Sequence, residues 1–133
     1  MGNLISIITP AHIYNEETYK ELLRAIQSVK EQTYKKIELL IINDGSTYPV
    51  KIPKYPWLKV INQENLQRYT AYNTGFKAAK GDIFVCLDHD DELDPNYCKY
   101  VDNWFNIYPE KIFNFGCRYI HSDGGIAYRE VFE

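Results

Sequence analysis

Three short runs of nearly unbroken apolar, largely β-branched residues, at 4–9, 37–43 and 83–87, constrain this chain more than any other feature. The first predicts a parallel strand covered on both faces, the second another buried strand, and the third a further strand of the same sheet. The helices that would cover them are written between the runs. After Asn15, a predicted N-cap with Glu16 and Glu17 in the first turn, Tyr19, Leu22, Leu23, Ile26 and Val29 recur at helical spacing, with an end near Gln32. A short strand at 57–61 precedes a helix with Tyr69, Tyr72, Phe76 and Ala79 on one face, closed at Gly81. Past the run at 83–87, Asp94 can cap and Pro95 can open a third helix. Its apolar stripe, Tyr97, Tyr100, Val101, Trp104, Phe105 and Tyr108, is expected in the core. A strand at 112–119, the turn Asp123-Gly124-Gly125 and a returning strand at 126–132 complete the reading.

Alternation of strands and helices implies an α/β chain with a mainly parallel sheet, helices on both faces and right-handed crossovers. With 133 residues, 45% of them hydrophobic, one compact domain over 1–133 is expected. A net charge of -3 provides no positive field for nucleic acid or an anionic membrane surface, so an anionic ligand must be held locally. The odd cysteine count, Cys86, Cys98 and Cys117, with no Cys-x-x-Cys pair, suits reduced thiols in the cytoplasm. The first apolar run is too short to be a signal-peptide core or to span a bilayer. Any membrane association is expected to be peripheral, at the inner face and through sequence outside this chain.

In parallel sheets, ligands sit at the carboxyl ends of the strands. Three polar clusters fall there: Thr9 to Asn15, Asn43 to Thr47, and Asp88 to Asp91. They are expected to meet on one rim. Carboxylates at 88, 90, 91, 92 and 94 crowd behind an apolar strand, which opposes ionisation. A divalent cation relieves that repulsion, and oxygen-only ligands suit Mg²⁺ or Mn²⁺ shared with phosphate oxygens. Asp91, Glu92 and Asp94 can equally serve the positive end of the next helix. Asp88 and Asp90 are less well explained by capping. His89 lacks the second His or Cys of a zinc site and reads as a wall residue.

These residues resemble glycosyltransferase family 2, in four blocks that together cover about residues 4–119. They are Ser6-Ile7-Ile8-Thr9-Pro10 through Tyr14-Asn15-Glu16; Ile42-Asn43-Asp44-Gly45-Ser46; Arg68 through Asn73-Thr74-Gly75 to Ala79-Lys80-Gly81-Asp82; and Leu87-Asp88-His89-Asp90-Asp91. The resemblance implies a GT-A, Rossmann-like three-layer α/β/α sandwich, here without its acceptor side. It also implies transfer of a sugar from a nucleotide-diphosphate sugar, UDP-linked in the usual case, to a glycan or lipid-linked acceptor with inversion, as in cell-surface polysaccharide biosynthesis.

By position, the resemblance places Thr9, Pro10, Ala11 and Asn15 at the nucleotide and gives Asp44 the base. It sets Arg68 toward the diphosphate or the acidic loop, puts Asp88 and His89 at the ribose or sugar, and gives the metal to Asp90 with Asp88 and Asp91. Asp44-Gly45-Ser46 also reads as a plain turn, Arg68 as a surface ion pair, and Asn73 and Gly75 as close packing. The first block is longer than the family's short Pro-x-Tyr-Asn form. No general base is assigned; Glu130 and Glu133 are candidates only as acids. Two rival readings are a non-catalytic nucleotide-sugar-binding module and an aspartate-based phosphotransferase. The latter would leave Asp44 and Arg68 without a role.

Overall fold

A computed structural model describes residues 2–65, 68–109, 117–120 and 126–129, the side chains of Arg68 and of the last two segments excepted. Contacts group the chain into two units, residues 1–102 and 103–133.

In the first unit, β1 (Ile5–Ala11), β2 (Ile37–Asp44), β3 (Leu58–Gln63) and β4 (Ile83–Cys86) form one parallel sheet in the order β3-β2-β1-β4. Ile7 lies opposite both Leu39 and Val85, and Asp44 opposite Gln63. Every residue of β1 is buried, as is all of β2 except the half-buried Asn43. That matches the unbroken apolar runs. The run at 83–87 behaves differently: Ile83 and Val85 are buried, whereas Phe84 and Cys86 are exposed. Among the described residues β4 is a sheet edge with β1 as its one strand neighbour, and the face that carries Phe84 and Cys86 is open.

The strand order puts the helices on opposite faces. From β1 to β2 the chain steps one way across the sheet, and from β3 to β4 it returns, so right-handed crossovers carry α1 (Glu16–Lys30) and α2 (Arg68–Ala78) to different sides. On the α2 side, Ile8, Leu40 and Ile42 pack with Ala71, Tyr72 and Phe76. On the other side lie Ile7, Leu39 and Ile41 of opposite parity, all fully buried, with Leu22, Ala25, Ile26 and Val29 supplying the apolar stripe of α1. Burial of each of the Leu, Ile and Val side chains stabilises by roughly 1.5–3 kcal/mol. Asn15 caps α1 as expected, accepting from Thr18 N in a reciprocal capping box.

The helix ends differ from expectation. The first helix stops at Lys30, and Gln32 lies beyond it, fully buried. Its amide donates to the carbonyls of Ser28 and Asp94 and accepts from Cys98 N, tying the end of α1 to the start of α3 (Tyr97–Ile107). α2 ends at Ala78, and Gly81 is no cap. Gly81 donates to Ser6 Oγ, and a Cβ there would lie 2.4 Å from that oxygen. Pro95 precedes α3 rather than opening it, because Asn96 N is held by the Asp94 side chain. The aromatic stripe of α3 is only partly core: Val101 is buried, but Tyr100, Trp104 and Tyr108 are exposed. Cys98 and Asp102, outside that stripe, are buried instead. Asp102 accepts from both nitrogens of Asn3.

In the second unit, the rings of Trp104 and Tyr108 stack with centroids 5.8 Å apart. β5 (Cys117–Ile120) pairs antiparallel with β6 (Ile126–Arg129). The Asp123-Gly124-Gly125 turn, the strand segment at 112–116, and Glu130 and Glu133 lie outside the described residues. No helix among the described residues is long and apolar enough to cross a membrane.

Candidate nucleotide and metal site

Strand parity selects which polar side chains face the α2 side of the sheet. Ile8, Leu40, Ile42 and Ile61 all pack in the α2 cluster. Two residues farther along each strand stand Pro10, Asp44 and Gln63. These positions converge with the loop after β4 around a cavity of about 330 Å³, lined by Pro10, Ala11, His12, Asp44, Asn65, Asp88, His89 and Asp90. Residues from all three polar clusters meet there, at the carboxyl ends of the strands.

Asp44, only 4% exposed, is gripped by both neighbouring strands. Its carbonyl oxygen lies 2.8 Å from His12 Nδ1. A carbonyl cannot donate, so Nδ1 carries the hydrogen, and in the neutral ring Nε2 is an acceptor. Its Oδ1 accepts from Gln63 Nε2 at 2.9 Å, and Gln63 Oε1 in turn accepts from Thr74 Oγ1 at 2.7 Å. Gly45 follows with φ +68, and a Cβ there would lie 2.9 Å from both Asn65 N and Asn65 Cβ. A glycine permits that approach, which brings Asn65 to the cavity wall. Ser46 Oγ accepts from Ile13 N at 2.9 Å, so this turn also anchors the chain leaving β1.

At the other end of the cavity, Asp88 follows β4, half-buried, and its Oδ1 accepts from the Tyr72 hydroxyl at 2.7 Å. Asp91 N donates to Asp88 O, folding the loop into a turn. That turn brings one carboxylate oxygen each of Asp88, Asp90 and Asp91 within 4.8 Å of one another. Around a small divalent ion with oxygens at about 2.1 Å, adjacent ligands are roughly 3 Å apart and opposite ones roughly 4.2 Å, so the three carboxylates can share one ion once the loop draws them together. Asp90 and Asp91 are exposed and can keep water or accept a ligand oxygen beside them.

Thr9, Asn15, Asn73 and Gly75, also singled out from the sequence, are not among the residues that line the cavity. Thr9 has the opposite parity from Pro10; its side chain is buried, and among the described residues its Oγ1 has no hydrogen-bond partner. Asn15 is exposed and engaged in the α1 cap. Arg68 is the first residue of α2, with its side chain outside the description. Gly75 packs closely, as a Cβ would fall 2.4 Å from Ile8 Cγ2, while Asn73 is exposed. Four participants escaped the sequence reading: His12, Asn65, Gln63 and Thr74. A fifth, Tyr72, was read only as an apolar helix position. For Gln63 the available signal was its place two residues after Ile61, which becomes informative only once β3 is registered against β2.

The chain is similar to known proteins in both sequence and fold. An uncharacterized glycosyltransferase of Rickettsia prowazekii is 35% identical over 119 residues, covering 87% of this chain and 36% of that one. Among solved structures, Staphylococcus aureus TarS 1-349 in complex with UDP-GlcNAc superposes with TM-score 0.67 at 19% identity, over 79% of this chain and 32% of that one. The mannosyltransferase PcManGT from Pyrobaculum calidifontis, in complex with GDP-Man and Mn²⁺, gives TM-score 0.62 at 22% identity, over 79% and 33%. These likenesses show the fold, an α/β GT-A architecture of which the chain holds part. The chain spans about a third or less of the length of the curated relatives it matches. The family profile for glycosyl transferase family 2 matches residues 6–131, and the chain belongs to that family.

Proposed function

We propose that this chain is the donor-binding part of a glycosyltransferase that takes a nucleotide-diphosphate sugar, with uridine as the base, together with Mn²⁺ or Mg²⁺. The observation that carries the reading is the shared cavity, lined by Asp44 from β2 and by Asp88 and Asp90 from the loop after β4, with an Asp91 carboxylate oxygen within 4.8 Å of theirs. In this reading Asp44 accepts the imide N–H of uracil, and Pro10, Ala11 and His12 border the nucleoside. Asp88 and His89 stand near the ribose or sugar, and Arg68 serves the diphosphate. Asp90, with Asp88 and Asp91, holds the ion, which supplies positive charge to the departing diphosphate. Transfer would proceed by displacement with inversion onto a hydroxyl of a glycan or lipid-linked acceptor, as in cell-surface polysaccharide assembly.

Support comes from the complexes of the structural neighbours, with UDP-GlcNAc in one and GDP-Man and Mn²⁺ in the other. Calorimetric titration of UDP into the protein, with and without Mn²⁺, tests the reading. Saturable binding that strengthens with the metal is expected. Absent binding, or binding indifferent to metal, overturns it.

A further inference from the structure

We infer that Gln63 is a specificity-determining positioning residue, which selects the nucleotide base by fixing the direction of the Asp44 carboxylate. The inference rests on the base-binding role proposed above for Asp44. Parallel registration sets Gln63 directly beside Asp44, with both side chains on the α2 face of the sheet. Nε2 reaches Asp44 Oδ1 at 2.9 Å, and Thr74 Oγ1 on α2 reaches Gln63 Oε1 at 2.7 Å.

Donor and acceptor roles in this chain are forced. An ionised carboxylate only accepts, so Gln63 must present its NH₂ to Asp44 and its oxygen to Thr74. A flipped amide would set oxygen against oxygen at Asp44. Thr74 Oγ1 also lies 3.0 Å from Thr70 O, but its single proton is needed between the two side-chain oxygens 2.7 Å apart, so it orients the amide, and the amide in turn holds Asp44 Oδ1.

A carboxylate held in this way discriminates between pyrimidines of nearly equal size. Uracil offers a donor at N3, whereas cytosine offers a lone pair there, which faces the carboxylate repulsively. Without Gln63 the carboxylate loses the hydrogen bond that sets Oδ1, and its penalty against cytosine falls. Loss of a buried polar match of this kind changes an equilibrium by roughly tenfold.

The test measures dissociation constants for UDP and CDP, both with Mn²⁺, in the intact chain and in Gln63→Leu, Thr74→Val and Thr74→Ser. Mn²⁺ affinity in the absence of nucleotide and the melting temperature are recorded alongside. The unsubstituted protein should prefer UDP. In Gln63→Leu the UDP-to-CDP preference should narrow by roughly tenfold, with Mn²⁺ affinity unchanged. Thr74→Val should narrow it less, and Thr74→Ser should retain it. General loosening of the fold would weaken both nucleotides alike and leave their ratio in place. A full preference for UDP in Gln63→Leu, or in Thr74→Val should Gln63→Leu not fold, overturns the inference and leaves the proposed function standing. If the unsubstituted protein binds UDP and CDP equally, the base-binding role of Asp44 falls, and this inference with it.

Discussion

The Tyr72 hydroxyl donates to Asp88 Oδ1 at 2.7 Å, joining the middle of α2 to the acidic loop after β4. Tyr72 also packs against the Ile8, Leu40 and Ile42 cluster, so its ring is fixed by the core while its oxygen reaches the cavity rim. Replacing it by Phe keeps the packing and removes the bond. Tyr72→Phe is expected to weaken Mn²⁺-dependent UDP binding by roughly tenfold or more, as orienting partners of metal ligands typically do. Calorimetry measures this, and an unchanged affinity would confine Tyr72 to a packing role.

Asp90 lines the cavity and belongs to the acidic trio. Asp90→Ala should reduce metal-dependent UDP affinity by at least roughly 10- to 100-fold. Because the side chain is exposed, the melting temperature of the nucleotide-free protein should stay nearly unchanged. A melting temperature that fell while affinity held would assign Asp90 to the fold.

At Gly75 a Cβ would meet Ile8 Cγ2 at 2.4 Å, on a fully buried β1 residue that cannot withdraw. Gly75→Val should push α2 off the sheet at a cost of about 1–3 kcal/mol, read from chemical denaturation. Because Tyr72 and Thr74 ride on the same helix, UDP affinity should fall as well.

Gly45 has φ +68 and lies against Asn65. In Gly45→Ala, left-handed backbone strain of about 1–2 kcal/mol adds to the collision with Asn65 N and Cβ. Reduced stability and reduced nucleotide affinity are both expected; calorimetry and thermal melts provide the two readings.

Two weak acids, the half-buried Tyr34 and the buried Cys98, make stability fall at alkaline pH. Burial first, then the hydrogen bond and charge of Asp102, push the Tyr34 phenol up to about 12, and burial alone pushes the Cys98 thiol up to about 12. In the unfolded chain these groups lose their protons near 10 and 9. Between those values and 12 the unfolded state therefore holds fewer protons than the folded one, so stability falls as pH rises through that window and is fully present below it. Melting temperature measured from pH 8 to 11 should decline above about pH 9. Cys98→Ala together with Tyr34→Phe should flatten that decline.

Much of the fold was legible because its signals are local. The fully apolar runs of β1 and β2, the helical spacing in α1 and the Asn15 cap each depend on residues within a few positions of one another. The edge position of β4 was not legible, since an apolar run reads alike whether it pairs with one strand or two. The aromatic stripe of α3 misled for a related reason: spacing shows which residues share a face, not whether that face is covered.

Sequence alone determined the alternation of strands and helices, and with it the rim on which the three polar clusters had to meet. Tertiary structure decided which members of each cluster face the cavity. Pro10 and Asp44 look into it, while Thr9 is turned to the opposite side of the sheet. It also recruited His12, Gln63, Asn65, Tyr72 and Thr74, to which the sequence had given no individual role at the site. The physical reason is register. Side-chain direction alternates with every residue, and which residues stand beside one another is set by hydrogen bonds between strands far apart in the chain, so a shift of a single step would present the other face of each cluster.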